Sequence, residues 1–167
     1  QKVVAREALK SLGPLDYCGL LHWSNFGSDA WLWRPGLSRV GTRRQQMTQA
    51  LRRMSPGDMP SFQNSMQMAL VEFRKCKASV KHMIIISDGD PTPPPAALVN
   101  QFKKDGIMIT TVAIGAHGVT GAQTLADIAN FTGGNYYVVK NPKALPKIYQ
   151  REARRVTRPL VKDLNNV

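Results

Sequence analysis

His82-Met83-Ile84-Ile85-Ile86-Ser87-Asp88-Gly89-Asp90 is the stretch whose reading decides the fold. The run from His82 to Ile86 is apolar and too short for a helix, the pattern expected of a parallel strand covered on both faces. It stops at Ser87 and places two carboxylates, Asp88 and Asp90, at the strand's carboxyl end. Open α/β sheets bind ligands at that end. Paired carboxylates there suit a hard cation such as Mg²⁺, which takes oxygen ligands and keeps several waters. Asp-Gly is equally an ordinary turn signal, in which Asp88 bonds its own backbone near Gly89. Composition alone leaves both readings open.

Working outward, the chain alternates helices with short apolar runs. Val3, Val4, Ala8, Leu9 and Leu12 repeat at helical spacing before Gly13-Pro14, which predicts a helix over 2–12. Tyr17 to Trp23 reads as a strand, and Asp29 to Arg34 as a second, joined through Asn25 to Ser28 as a hairpin. Alternation would put Trp31 and Trp33 on one face, packed against a helix or, on an edge strand, anchoring a partner. Thr42 is placed to cap a helix carrying Met47, Leu51 and Met54, ended by Ser55-Pro56-Gly57. Ser61 is placed to cap the next, carrying Phe62, Met66, Ala69, Leu70 and Phe73. Beyond the decisive strand, a helix from Ala96 closes at Gly106, and a strand spans Ile107 to Ile114. A helix over Thr120 to Phe131 stops at Gly133-Gly134, Asn135 to Val139 is a strand, and Pro142 to Val156 is the last helix. The sum is a three-layer α/β/α domain with a mainly parallel, Rossmann-like sheet. The loops after Trp23, Ile86 and Ile114 are then the places for a site.

The 167 residues suffice for one domain, and no apolar run approaches the roughly 20 residues of a membrane span. The chain is read as a piece of a longer protein, since it opens on Gln1 and is helical by Lys2. Cys18 and Cys76 form no C-x-x-C pattern, and a disulfide between them is not expected. The formal charge is +12, from 23 Lys and Arg against 11 Asp and Glu. Part of that excess is a stripe of Lys143, Lys147, Arg151, Arg154, Arg155 and Arg158 along one face of the last helix. Such a stripe is either a solvated face or a contact for an anionic surface. His22, His82 and His117 are the only histidines. None sits in a nucleophile motif, no Gly-x-Ser-x-Gly elbow surrounds Ser24 or Ser87, and phosphate-loop and dinucleotide patterns are absent. An α/β hydrolase-like fragment is therefore the weakest functional reading.

The succession Gly19-Leu20-Leu21-His22-Trp23-Ser24, Pro56-Gly57-Asp58, Ala69-Leu70, Ile84-Ile85-Ile86-Ser87-Asp88-Gly89 and Thr111-Val112-Ala113-Ile114-Gly115 resembles a von Willebrand factor A-type domain. Leu125-Ala126-Asp127-Ile128-Ala129, Thr132-Gly133-Gly134 and Tyr136-Tyr137 are similar to its bacterial, membrane-associated branch. The resemblance runs from residue 1 to about 157, leaving 158–167 as a tail or linker. It implies a non-catalytic protein-interaction module within a larger bacterial protein that reaches the membrane through other parts of its chain. It also implies a metal-ion-dependent adhesion site for Mg²⁺ or Mn²⁺, built from an Asp-x-Ser-x-Ser loop, a distant Thr and a distant Asp. Asp88 matches the distant Asp. Pro60 stands where the Thr belongs, leaving Ser61 or Asp58 as substitutes, and the Asp-x-Ser-x-Ser loop with the first central strand is absent. The expected metal site is therefore partial, with no ion in this chain by itself.

The missing strand should leave a gap between Tyr17–Trp23 and His82–Ile86. Either those strands pair directly or a strand from another chain, such as a second copy, fills the gap. A protein partner is expected at a rim formed by Ser24, Asp58 to Ser61 and Asp88 to Asp90; nucleic acid is not. The competing reading is electrostatic docking on an anionic surface through Lys147, Arg151 and Arg155.

Overall fold

The computed structural model describes residues 2–55, 57–115 and 119–153. Its elements are α1 (Lys2–Ser11), β1 (Tyr17–Cys18), β2 (Leu21–Trp23), β3 (Asp29–Trp31), β4 (Ser38–Arg39), α2 (Arg44–Arg53), α3 (Gln63–Lys75), β5 (His82–Ser87), α4 (Ala96–Lys104), β6 (Met108–Ile114), α5 (Val119–Thr132), β7 (Tyr136–Val139) and α6 (145–153). Single 3-10 turns, Gly41–Arg43 and Pro142–Ala144, lead into α2 and α6.

Strands β5, β6 and β7 form a parallel sheet in that order, with Ile86 opposite Val112 and Ile114 opposite Val139. Alternation divides β5 between two cores. Ile85 packs with Met66, Leu70, Phe73, Leu98 and Phe102 of α3 and α4, whereas Ile84 and Ile86 join Val112, Leu145 and Tyr149 on the opposite face. A third cluster sets Leu9 of α1 against Met47 and Leu51 of α2. Helices therefore cover both faces of the sheet, as the apolar run in β5 requires. The last turn of α5 is fixed to β6 by Thr132, whose hydroxyl accepts from the Ile109 N–H at 3.0 Å.

The amino-terminal half departs from expectation in three places. The run Tyr17–Trp23 is two strands, not one: β1 pairs antiparallel with β4, and β2 with β3. The break falls at Gly19, where a Cβ would lie 2.7 Å from the Trp31 ring, so the backbone turns to let the indole through. The strand that opens at Asp29 ends at Trp31, so Trp33 does not share its face. Trp33 instead packs with the α1–α2 cluster and donates its Nε1–H to the Cys18 carbonyl at 3.1 Å. Thr42 lies inside the 3-10 turn and caps nothing; Arg43 holds the cap position of α2, with no side-chain cap bond. Cys18 and Cys76 are both free.

Direct pairing of β2 with β5 is not made; each lies in its own sheet. The Met108 N–H donates to the Lys81 carbonyl, which fixes the parity of β5: residues 81, 83, 85 and 87 address β6. The backbone groups of His82, Ile84 and Ile86 point to the other side, where no described residue forms a ladder.

Candidate functional site

Three loops converge at the carboxyl ends of β2 and β5. The hairpin between β2 and β3 is closed by the Ser24 N–H donating to the Ser28 carbonyl at 2.8 Å and the Gly27 N–H donating to the Ser24 carbonyl at 3.0 Å. Gly27 takes a left-handed φ of 73°, which the tight turn requires. Ser24 is buried and its hydroxyl lies 3.3 Å from that of Ser28. The α2–α3 loop is tied to this hairpin where the Gly57 N–H meets the Trp23 carbonyl at 2.9 Å. It is tied in turn to the loop after β5 by a two-residue parallel bridge. There the Thr92 N–H donates to Pro60 at 2.9 Å and the Phe62 N–H to Thr92 at 3.2 Å.

The structure thus brings Ser24, Asp58, Ser61, Asp88 and Asp90 onto one hydrogen-bonded rim. Asp58, Asp88 and Asp90 are exposed. One Asp88 carboxylate oxygen accepts the Asp90 N–H at 3.0 Å, and Ser87 Oγ accepts the Gly89 N–H at 3.0 Å, the geometry of a polar turn. Ser61 Oγ accepts the Gln63 N–H at 3.2 Å, but the cap position expected for Ser61 is held by Phe62, with no side-chain cap bond. The carbonyl of Pro60, where the resemblance wants a threonine, is taken by Thr92. Among the described residues no three His, Cys, Asp or Glu side chains come together as a metal would need. One Asp88 oxygen is engaged in that turn, and Ser61 Oγ is engaged by the Gln63 N–H.

Three rim features escape a reading of the sequence. Phe26, at the hairpin tip, is 96% exposed. Asp29 accepts the Asn64 side-chain N–H at 2.9 Å, pinning the hairpin to α3. Thr92 forms the bridge. Only Phe26 left a signal, an aromatic between the turn-formers Asn25 and Gly27.

At the opposite end of the sheet lies a buried polar cluster. Glu152 of α6, with no exposed surface, accepts from Thr110 Oγ1 at 2.9 Å, Asn135 Nδ2 at 2.9 Å and the Tyr137 hydroxyl at 2.7 Å. His82 Nε2 stands 2.8 Å from Thr110 Oγ1 and 3.4 Å from Glu152 Oε2. The single Thr110 hydroxyl proton goes to Glu152, so His82 Nε2 carries a proton and donates to Thr110. Burial alone would raise the Glu152 pKa; the bonds from Asn135, Tyr137 and Thr110, with His82 beside them, outweigh it and lower the pKa. Burial and the adjacent Glu152 raise that of the Tyr137 phenol, and Arg151 opposes them. A His-Glu-Thr grouping invites a catalytic reading, but Thr110 is fully buried and its hydroxyl is spent on Glu152, as fits a core histidine. His22, on β2, has its pKa lowered by burial.

On α6, Leu145, Tyr149 and Glu152 face inward while Lys147 and Arg151 are exposed, as is Lys143 in the 3-10 turn before it. Arg154, Arg155, Arg158, His117 and the boundary at 157 lie outside the described residues. None of the described helices is long and apolar enough to cross a membrane.

The chain matches the family model of the von Willebrand factor type A domain over residues 30–151. Among solved structures, it is similar to a von Willebrand factor type A protein from Catenulispora acidiphila. The TM-score is 0.80 at 17% identity, over 93% of this chain and 37% of that one. It thus spans little more than a third of that relative. Similarity extends to the hypothetical protein BatB from Bacteroides thetaiotaomicron, with a TM-score of 0.74 and 13% identity over 94% of this chain and 86% of that one. An aerotolerance-related membrane protein from Bacteroides fragilis gives 0.68 and 13%, over 92% and 86%. No curated protein matches. With the family model spanning well over half its length and the three-layer architecture behind it, this chain belongs to the von Willebrand factor type A family.

Proposed function

We propose that the chain is a non-catalytic protein-interaction module of a larger, membrane-associated bacterial protein, and that it meets its partner at the rim of Ser24, Asp58 to Ser61 and Asp88 to Asp90. One observation carries this reading: three loops distant in sequence are stitched by backbone hydrogen bonds into one surface. A surface fixed in advance loses little freedom on binding. Asp88, with Ser61 and Asp58, supplies part of a Mg²⁺ or Mn²⁺ site, and further ligands would have to come from a strand and loop placed between β2 and β5. A different strand, from a second copy of the chain, is one arrangement that would cover the side of β5 away from β6 without bringing those ligands.

The test is differential crosslinking in a bacterial extract. The chain is compared with an Asp58→Ala/Asp90→Ala variant and a Lys147→Glu/Arg151→Glu variant. A protein captured by the first and third but not the second supports the rim. Capture lost only in the third supports the electrostatic alternative, which the outward-facing Lys143, Lys147 and Arg151 favour. That alternative also requires binding to phosphatidylglycerol vesicles that falls steeply with salt. Calorimetry with Mn²⁺ addresses the metal. Heat abolished by Asp88→Ala, in a form extended upstream by a strand and loop but not in this chain, is the expected result.

A further inference from the structure

We propose that Phe26 is the aromatic anchor of the rim, and that the partner it fits is a protein surface pairing an apolar pocket with Lys and Arg side chains. The inference rests on the interaction-module reading and specifies its chemistry. Phe26 is 96% exposed, more than Leu15, Val71, Phe131 or Val138. The Phe131 ring is partly screened by the Lys103 ammonium 4.3 Å from its centroid; no described residue covers Phe26 in that way. The fold has no use for the ring. The turn is closed by the backbone of Ser24, Gly27 and Ser28, so a polar residue at 26 would serve it equally. An aromatic with few rotamers on a pinned turn is the group that anchors interfaces at small entropic cost.

Charge names the partner's complement. The rim segments 24–29, 57–62 and 87–92 carry Asp29, Asp58, Asp88 and Asp90 and not one Lys, Arg or His, in a chain with 23 Lys and Arg against 11 Asp and Glu. The anchor therefore stands on the acidic end of a basic molecule, and a cationic surface is steered to it while like chains are oriented or repelled. This differs from a metal-bridged contact, in which an ion at Asp88 would reverse the local charge and favour an acidic partner.

The experiment titrates the isotope-labelled chain, by amide NMR, with three synthetic peptides: alternating Lys-Leu, alternating Glu-Leu and alternating Lys-Ser. Only Lys-Leu is expected to move the amides of 24–29, 57–62 and 87–92. Phe26→Ser should weaken that binding by about tenfold or more at unchanged melting temperature. Asp58→Asn/Asp88→Asn/Asp90→Asn should weaken it and flatten its salt dependence. Equal binding by Phe26→Ser, equal binding of Lys-Ser, or shifts confined to other surfaces would overturn the proposal. If Glu-Leu with Mn²⁺ moves the rim instead, the cationic partner is refuted while the rim reading stands. If no peptide moves the rim with or without Mn²⁺, the anchor falls, and the crosslinking comparison decides the rim reading separately.

Discussion

Replacing Glu152 by alanine should cost more stability than any single change at the rim. The carboxylate is fully buried and receives three hydrogen bonds, from Thr110, Asn135 and Tyr137, with His82 at 3.4 Å. Truncation leaves those donors without their acceptor, in a space that water would have to enter. Removing one partner of a buried charged network costs about 3–5 kcal/mol, against a total near 5–15 kcal/mol for a domain. For a chain of this size roughly 2–4 °C accompanies each kcal/mol, so the melting temperature should fall by on the order of 10 °C at neutral pH. Glu152→Gln should lie between, because its amide can accept from Tyr137 and Asn135 but turns an N–H toward Thr110 and His82. The pH dependence has a definite sign. The folded pKa of Glu152 is lowered, so its stabilisation is complete above the ordinary unfolded carboxylate value and is lost as pH falls through the folded value. The gap between wild type and Glu152→Gln should therefore narrow in acid. Calorimetric melts from neutral pH downward measure this. A loss of less than a few degrees at neutral pH, or a gap that widens in acid, would refute the account of the cluster.

Three further outcomes follow from particular contacts. Gly121→Ala should destabilise by about 1–3 kcal/mol and move the amides of 87–90, since the new Cβ would lie 2.7 Å from the Gly89 carbonyl oxygen and 3.0 Å from its Cα; unchanged amide shifts would count against that contact. Iodoacetamide at mildly alkaline pH should label Cys76 before Cys18 by mass spectrometry. Both are partly accessible, but burial pushes the Cys18 thiol up to about 12, so little thiolate is present there. Phe102→Ala should cost about 3–5 kcal/mol in denaturant unfolding, because the ring is fully buried and meets Phe73 edge-on with centroids 6.4 Å apart.

The carboxyl-terminal half was legible in the sequence because each of its signals is local. An apolar run bounded by Asp88, the left-handed stops Gly106 and Gly133, and helical spacing through Leu125, Ile128 and Ala129 all act within one element. The amino-terminal half was less so, because its geometry is decided by contacts across the chain. The split of Tyr17–Trp23 comes from the Trp31 ring pressing on Gly19, and Trp33 leaves the strand to bond Cys18. At the rim, the polar-turn geometry of Asp88 and the bond from the Gln63 N–H to Ser61 follow from neighbours two positions away. The Thr92–Pro60 bridge, 32 positions apart in sequence, has no such marker.

The same distinction governs the open side of β5. Alternating burial tells a strand's two faces apart, and the run His82–Ile86 announces that both will be covered. The hydrogen-bonding edges lie in the sheet plane, where side chains do not point, so no residue pattern says whether an edge has a neighbour. That is why the sequence alone could state only alternatives for the space between β2 and β5. The structure removes one of them: β2 and β5 lie in separate sheets and do not pair with each other. A buried backbone N–H or C=O on the side of β5 away from β6 needs a hydrogen-bonding partner. A parallel strand there would end at the rim, beside Asp88. Closing the edge of the sheet and completing the binding surface are thus one structural problem.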